Sequence, residues 1–402
     1  MYLAPALPTT FSRAPRAAVA AATLWVRGPV WDAVWMQSAL CLLPLVLWFA
    51  NSSGAGPGPL DILYFGLTAL FWIGHRLSST WIAYGTEAYR PLVKAQPVRF
   101  IVLPLLVTAA CFAILLPPDA ALPWTRTERF IVLAITDYAC STYHFAAQHF
   151  GALSLYRARA GSAAGASLRR IDRWFALGVG GVLIFVADAL AGSVAYQDKW
   201  LGKLFVPAWL ASQQHLIHDG SMIVLVAVTA AMLLRELHAP RISLPRILYI
   251  VGLAGMVAVA LRPRGLFLFV ATWTSQHWIL ATGLASRVPI GEAAPESGGL
   301  RSVLHALNVR PWAILALLAL ISVLLLPVFE VEANWQSTLD PIYYGDRIFG
   351  ALVTALRTSS WLPGLLALGC ASGFVHYLQD RNIYRMSDPG VRAAASGLLA
   401  PQ

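Results

Sequence analysis

Long apolar stretches follow one another along almost the whole chain with only short polar breaks between them, and no other feature restricts the fold as much. A bilayer core of about 30 Å is crossed by roughly 20 helical residues rising 1.5 Å each. On that measure the sequence predicts spans at 33–50, 60–84, 99–116, 130–155, 174–192, 204–236, 247–261, 265–285, 311–329 and 361–379. Segment 204–236 is longer than one crossing needs, so it reads as strongly tilted, broken near Gly220 or extended into water. Segment 247–261 is the shortest. The expected fold is all-α: a polytopic integral membrane protein of about 10 transmembrane helices, with residues 1–402 forming one membrane domain.

Composition agrees, because only 12% of the residues are charged and 58% are hydrophobic, against roughly 25% charged in an ordinary soluble domain. In a soluble protein the net charge of +10 would raise nucleic-acid binding. Here the basic residues concentrate in every second loop. The predicted cytoplasmic segments hold 20 lysines and arginines, the opposite set holds 8, and Arg76 alone falls inside a span. That bias places both termini in the cytoplasm of a membrane such as the bacterial inner membrane. It assigns the basic residues to topology and anionic lipid, with no nucleic-acid partner. The acidic loop with Glu330, Glu332, Asp340 and Asp346 then falls on the outer side.

Several function classes find no support. Cys41, Cys111, Cys140 and Cys370 are far apart and form no CxxC pair, so neither a disulfide framework nor a zinc ribbon is expected. Arg13, Arg16 and Arg27 interrupt the alanine-rich N-terminal stretch, which argues for a retained anchor rather than a cleavable signal. The chain carries no phosphate-binding loop, GxSxG elbow or dinucleotide fingerprint.

Ionisable groups inside hydrocarbon are costly, so each one at depth is a candidate functional residue. Of nine histidines, His238 and His305 fall in predicted cytoplasmic loops and read as solvated residues. The others lie within spans: His75 on the second, His144 and His149 on the fourth, His215 and His218 on the sixth, His277 on the eighth and His376 on the tenth. All these spans run from outside to inside, which permits a layered site. Counted from the cytoplasmic helix ends, His75, His144, His149 and His277 lie roughly 12 to 18 Å deep, His376 roughly 8 Å, and His215 and His218 roughly 25 to 30 Å. The last pair joins the others only if its helix is tilted or broken.

Local spacing adds detail. His215 and His218 are i and i+3, so they share a face and can share one metal, with Asp219 as ligand or orienting partner. His144 and His149 are i and i+5, about 140° apart on an ideal helix, so joint ligation requires long reach or a bulge. Asp137, Ser141, His144 and Gln148 share one face, and Asp137 reads equally as a helix-packing polar group. Asp380 follows His376 by one turn and can orient it, although Tyr377, Tyr384 and the nearby arginines equally suit an interfacial anchor. Gln-His recurs at Gln148-His149, Gln214-His215 and Gln276-His277, as a decayed hairpin repeat would give. The candidate metal set is therefore His75, His144, His149, His215, His218, His277 and His376, supported by Asp137, Gln148, Asp219 and Asp380. Imidazole suits iron, copper and zinc, and oxygen chemistry needs open coordination positions.

The stretches His144-x4-His149 and His215-x2-His218 resemble the histidine boxes of the membrane-embedded fatty-acid desaturases and hydroxylases, which hold non-haem iron near the cytoplasmic face. That family's second and third boxes usually end in adjacent histidines, whereas Asp219 follows His218 here. Single histidines spread over many spans, with Tyr143-His144-Phe145 among them, also resemble the bacterial membrane carotenoid-cleaving oxygenases that use histidine-bound iron. The resemblance implies a metal-dependent oxidoreductase, an oxygenase, hydroxylase or desaturase. Such an enzyme would hold non-haem iron, act on a lipid or lipid-soluble substrate, and take an electron-donor protein as partner. The residues leave two alternatives open: a histidine-lined transporter or proton-coupled carrier, and a haem-binding membrane protein whose histidines clamp the porphyrin. Another transition metal in place of iron also stays open.

Overall fold

The computed structural model describes residues 24–52, 63, 65–160, 166–184, 212–261, 270–290, 292, 294–295, 298–336 and 344–398. Every regular element among them is helical. The principal helices are α1 (Ser38–Ser52), α2 (Ile73–Gly85), α3 (Leu103–Leu115), α4 (Arg126–Arg159), α5 (Ala166–Leu177), α6 (Gln214–Leu237), α7 (Leu244–Ala260), α8 (Ser275–Ala285), α9 (Leu300–Asn308), α10 (Pro311–Gln336), α11 (Tyr344–Thr358) and α12 (Leu362–Ile383). Three segments are long and apolar enough to cross a membrane: Val98–Leu115, His215–Leu237 and Pro311–Glu332. Two bent pairs bring that number to five: Pro29–Met36 with Ser38–Trp48 at 55°, and Phe349–Thr358 with Leu362–Ile383 at 108°. Their outer faces are apolar, with Leu105, Leu106, Ile223, Val226, Leu320 and Leu324 exposed, as a lipid-facing surface requires.

Local sequence explains where the helices begin. Thr125 and Glu128 form a capping box at the head of α4: the threonine hydroxyl accepts from the Glu128 amide, and the glutamate carboxylate accepts from the Thr125 amide at 2.7 Å. At the start of the chain's first bent pair, the buried Asp32 carboxylate accepts from the Val26 and Arg27 amides at 2.9 and 3.0 Å and turns the chain into the bundle. Turns of π-helix lead into α2 (Thr68–Trp72), α3 (Val98–Val102) and α8 (Val270–Thr274).

Helix α12 lies at the centre, packed on α2, α3, α4 and α10, and α2 also packs on α8 and α10. Small residues permit these approaches. A Cβ on Gly74 would lie 2.4 Å from the Leu318 carbonyl oxygen, so α2 and α10 touch backbone to backbone. A Cβ on Gly369 would lie 2.4 Å from Cβ of Glu332.

That second contact corrects the sequence reading. Residues 330–347 are expected to begin an external acidic loop, yet α10 continues through Gln336 and buries Glu330 and Glu332 to 4% and 3% exposure. The physical reason is a partner in α2. Arg76, the one basic residue predicted inside a span, sits 3.4 Å from the Glu332 carboxylate, and pairing makes burial of both tolerable. The Arg76 guanidinium also donates to the Ser372 hydroxyl at 3.1 Å. Further adjustments concern the span map. Helix α6 runs unbroken through Gly220, and the start of segment 204–236 lies outside the described residues, as do 185–200 and 262–269.

A second charged cluster joins the ends of four helices. Asp172 of α5, buried to 1% exposure, accepts two hydrogen bonds from Arg157 of α4 at 2.7 and 2.8 Å, one from Arg246 of α7 at 2.6 Å and one from Arg235 of α6 at 2.9 Å. Glu236 adds ion pairs to Arg246 at 2.9 Å and Arg235 at 3.1 Å. Burial alone would raise the Asp172 carboxyl, but the Arg157 and Arg235 hydrogen bonds and the Arg246 charge outweigh it and hold the group below the usual carboxylate range.

Candidate metal centre

Four helices each contribute one buried histidine to a common point: His75 from α2, His144 from α4, His277 from α8 and His376 from α12. Their exposures are 4%, 8%, 0% and 2%. The rings meet edge to face. Centroid separations are 4.8 Å for His75–His277, 4.7 Å for His75–His376, 4.9 Å for His144–His277 and 4.9 Å for His144–His376, while His277 and His376 are 6.1 Å apart.

Protein groups fix the orientation of three rings. The His75 Nδ1–H donates to the Trp72 carbonyl at 2.6 Å, at the end of the π-helical turn leading into α2. The His277 Nδ1–H donates to Oε1 of Gln148 at 2.6 Å, and Nδ1 of His376 is hydrogen-bonded to the Ser79 hydroxyl at 3.2 Å. Ser79 stands one turn beyond His75 on the same helix, so α2 supplies both a ring and the support of another. An acceptor on Nδ1 leaves the Nε2 lone pair free, the usual arrangement around a ligating imidazole.

Several atoms here make no hydrogen bond within the protein. Nε2 of His144, His277 and His376 are all buried without a hydrogen bond, and so is Oδ1 of Asp380. Buried polar atoms are seldom left unpaired, because each costs about 1–3 kcal/mol. A convergent group of them is therefore best understood as a donor set. The ligand atoms of His75, His277 and His376 lie within 4.8 Å of one another, as do those of His144, His376 and Asp380. Oδ2 of Asp380 is 3.4 Å from Nε2 of His144, so the carboxylate stands at the edge of the four rings.

Ring spacing gives a second measure of fit. A nitrogen bound about 2.1 Å from a metal sets its ring centroid about 3.2 Å away, so adjacent ligands at right angles have centroids about 4.5 Å apart and opposite ones about 6.4 Å. The four short separations and the single long one approximate that pattern. His144 belongs to the second donor group, with His376 and Asp380, rather than to the group of His75, His277 and His376.

Beyond the imidazoles lies a polar shell. The Tyr377 ring packs 5.0 Å from His144, and its hydroxyl donates to Asp137 at 3.1 Å. Asp137 approaches α12 at Gly373, where a Cβ would come 3.0 Å from its Oδ1. The Arg76–Glu332 pair lies one residue beyond His75 on the same side of the bundle.

The structure divides the candidate set. His75, His144, His277 and His376 come together with Gln148 and Asp380; Asp137 reaches the site through Tyr377. His149 is set apart from His144 by the i, i+5 angle: its Nδ1 pairs with the Tyr249 hydroxyl at 2.7 Å and its ring faces Trp273. His215 and Asp219 are exposed at the start of α6. His218, buried, pairs through Nδ1 with the Leu261 carbonyl at 2.7 Å, away from the four rings. Of the expected ligands, then, the structure does not bring His149, His215 and His218 to the point where the other four meet: helix phase turns the first away, and the others stand at the head of α6. Ser79, Trp72 and Tyr377 were absent from the sequence-based set. No protein-family model matches the chain, and no curated protein or solved structure matches it.

Proposed function

We propose that the chain is a membrane-embedded, histidine-ligated metal oxidoreductase: an oxygenase, hydroxylase or desaturase with non-haem iron acting on a lipid-like substrate. The observation that carries this reading is the convergence of four buried imidazoles from separate helices, with Nε2 of His144, His277 and His376 free of hydrogen bonds and Nδ1 of His75, His277 and His376 held by protein groups. His75, His144, His277 and His376 would hold the ion, with Asp380 available as a carboxylate donor. Four imidazoles leave room for further ligands on an octahedral metal, and nitrogen with carboxylate oxygen suits ferrous iron. When bound, such a metal supplies oxygen activation for C–H or C=C chemistry.

The chain's own residues then have definite tasks. Trp72, Gln148 and Ser79 hold the ring orientations. The Tyr377–Asp137 pair and the Arg76–Glu332 pair keep a polar, hydrogen-bonded wall on one side, while the apolar outer faces of the bundle offer a lipid-soluble substrate lateral access from the bilayer. Rings packed this closely leave no slab between them for a porphyrin, which favours a non-haem ion over haem. The finer topology belongs to the same reading: about ten spans, both termini cytoplasmic, and an electron-donor protein approaching from that side.

A second reading rests on the buried Arg76–Glu332 pair and Asp137 beside the imidazoles, since intramembrane charges also line the pathways of proton-coupled carriers. Elemental analysis with an optical spectrum of the purified protein separates the two. The oxidoreductase reading expects bound iron without a haem band and metal affinity that weakens as pH falls, because protons compete for the ligating nitrogens. Proton flux in liposomes that survives iron depletion, with no oxygen uptake, would overturn it in favour of the carrier.

A further inference from the structure

Helix α5 (Ala166–Leu177) is two-faced in an unusual way. Its one acidic residue, Asp172, points inward and is consumed by Arg157, Arg235 and Arg246, and Phe175 and Ala176 are buried beside it. Its outward face carries Arg169, Arg170 and Arg173, all exposed, next to Trp174 at 68% exposure and Ile171 at 43%. Among the described residues these three arginines make no ion pair.

Helical phase sorts that outer face further. Arg169 and Arg173 are i and i+4 and lie in one row, with Arg170 beside them; Trp174 and Ile171 form the adjoining row. Like charges at i, i+4 repel, so this surface is stabilised by an outside anion. Immediately afterwards the chain passes through Gly178–Val182 into the apolar residues Leu183 and Ile184. A basic row beside a Trp/Ile row, at the point where the chain becomes apolar, has the composition of a helix lying in a membrane interface.

We propose that α5 is an interfacial helix that binds anionic phospholipid headgroups through Arg169, Arg170 and Arg173, with Trp174 and Ile171 seated in the acyl boundary. The Asp172 cluster gives this surface its fixed orientation: by drawing the only carboxylate of the helix inward, it leaves the outer face uniformly cationic and holds it against the ends of α4, α6 and α7. The inference requires that the chain sits in a membrane and is independent of any metal.

The test uses the full-length protein in nanodiscs of phosphatidylcholine, titrated with phosphatidylglycerol, with bound lipid counted by native mass spectrometry. A basic residue near an anionic surface contributes about fivefold in affinity, so Arg169→Gln, Arg170→Gln and Arg173→Gln together should weaken phosphatidylglycerol binding on the order of 100-fold. Replacing all three by Lys should preserve most of it, and added salt should weaken the wild type. Trp174→Ala should weaken retention of both lipids alike. Should the triple variant fail to fold, Arg170→Gln alone is expected to read about fivefold. Unchanged phosphatidylglycerol affinity in either Gln variant, or an equal loss of phosphatidylcholine, would overturn the proposal.

Discussion

The four-histidine centre and the Asp172 cluster are both buried polar assemblies built from four helices, yet they are completed differently. In the Asp172 cluster, carboxylate oxygens and guanidinium groups face one another at 2.6 to 2.9 Å. Around the histidines, Nδ1 of His75, His277 and His376 is anchored, while Nε2 of His144, His277 and His376 makes no hydrogen bond. A polar group that the fold itself satisfies joins helices. One that the fold orients and leaves open awaits something from outside the chain. Burial alone does not distinguish them, since Asp172 and His376 are buried to 1% and 2%.

Replacing the members of each assembly should give opposite phenotypes. His277→Ala and His376→Ala should abolish metal binding at a stability cost of about 1–3 kcal/mol, because each leaves a small cavity and one unpaired hydrogen-bond partner, Gln148 or Ser79, while the Nε2 it removes makes no hydrogen bond within the protein. Asp172→Ala should do the reverse. Removing one partner of a buried ionic network costs about 3–5 kcal/mol, since the arginines are left uncompensated, and metal content per folded molecule should not change. Metal-to-protein ratios and thermal melts measured on the same samples decide between these outcomes. A His376→Ala protein that unfolds as readily as Asp172→Ala would mean that the histidines are structural.

Acid sharpens the contrast. The folded Asp172 carboxyl titrates below its unfolded value of about 3.9, so its stabilising contribution is complete above that pH and is lost as pH falls through the lower folded value. Thermal melts of the metal-free protein should therefore decline below about pH 4, and Asp172→Asn should flatten that part of the profile. An identical acid limb in the variant would remove Asp172 from the explanation.

The sequence singled out buried histidines more readily than it showed which of them meet. Histidines inside apolar segments stand out by cost alone, and depth counting grouped His75, His144 and His277 correctly. It set His376 apart as shallower, yet α12 packs so that His376 lies 4.7 Å from His75 and 4.9 Å from His144, ring centre to ring centre. It also joined His149 to the set, although the i, i+5 angle already opposed that. Arg76 inside a span was visible, but its partner was not: Glu332 lies 256 residues away and looked like the start of a loop. Among the described residues helical character was legible from the length of the apolar runs, whereas the bends and π-helical turns depend on tertiary packing that no local pattern records.

An intermediate effect is expected from Gln148, which touches no ligand position but holds His277 through its Nδ1. Loss of such an orienting partner typically lowers metal affinity 10–100-fold. Gln148→Leu should fall in that range, with Gln148→Glu largely restoring affinity because a carboxylate oxygen can accept the same hydrogen bond. Equal affinity in the leucine variant would show that packing alone orients the ring.

The smallest effect should come from His149, and it is the most direct check on the division between the two kinds of buried histidine. His149 is 1% exposed, sits five residues from His144 on the same helix, and would be indistinguishable from it by composition or burial. What separates them is ring position, since the His149 ring lies against Tyr249 and Trp273, 4.8 Å from the latter, and its nitrogens belong to neither donor group. His149→Gln keeps a polar atom near that hydroxyl. It should cost about 1 kcal/mol, the net value of one hydrogen bond, and leave both the metal-to-protein ratio and the metal affinity unchanged. If His149→Gln instead loses metal as His376→Ala does, then α4 contributes two ligands, the helix must rotate or bulge to bring them together, and sorting these histidines by ring position fails.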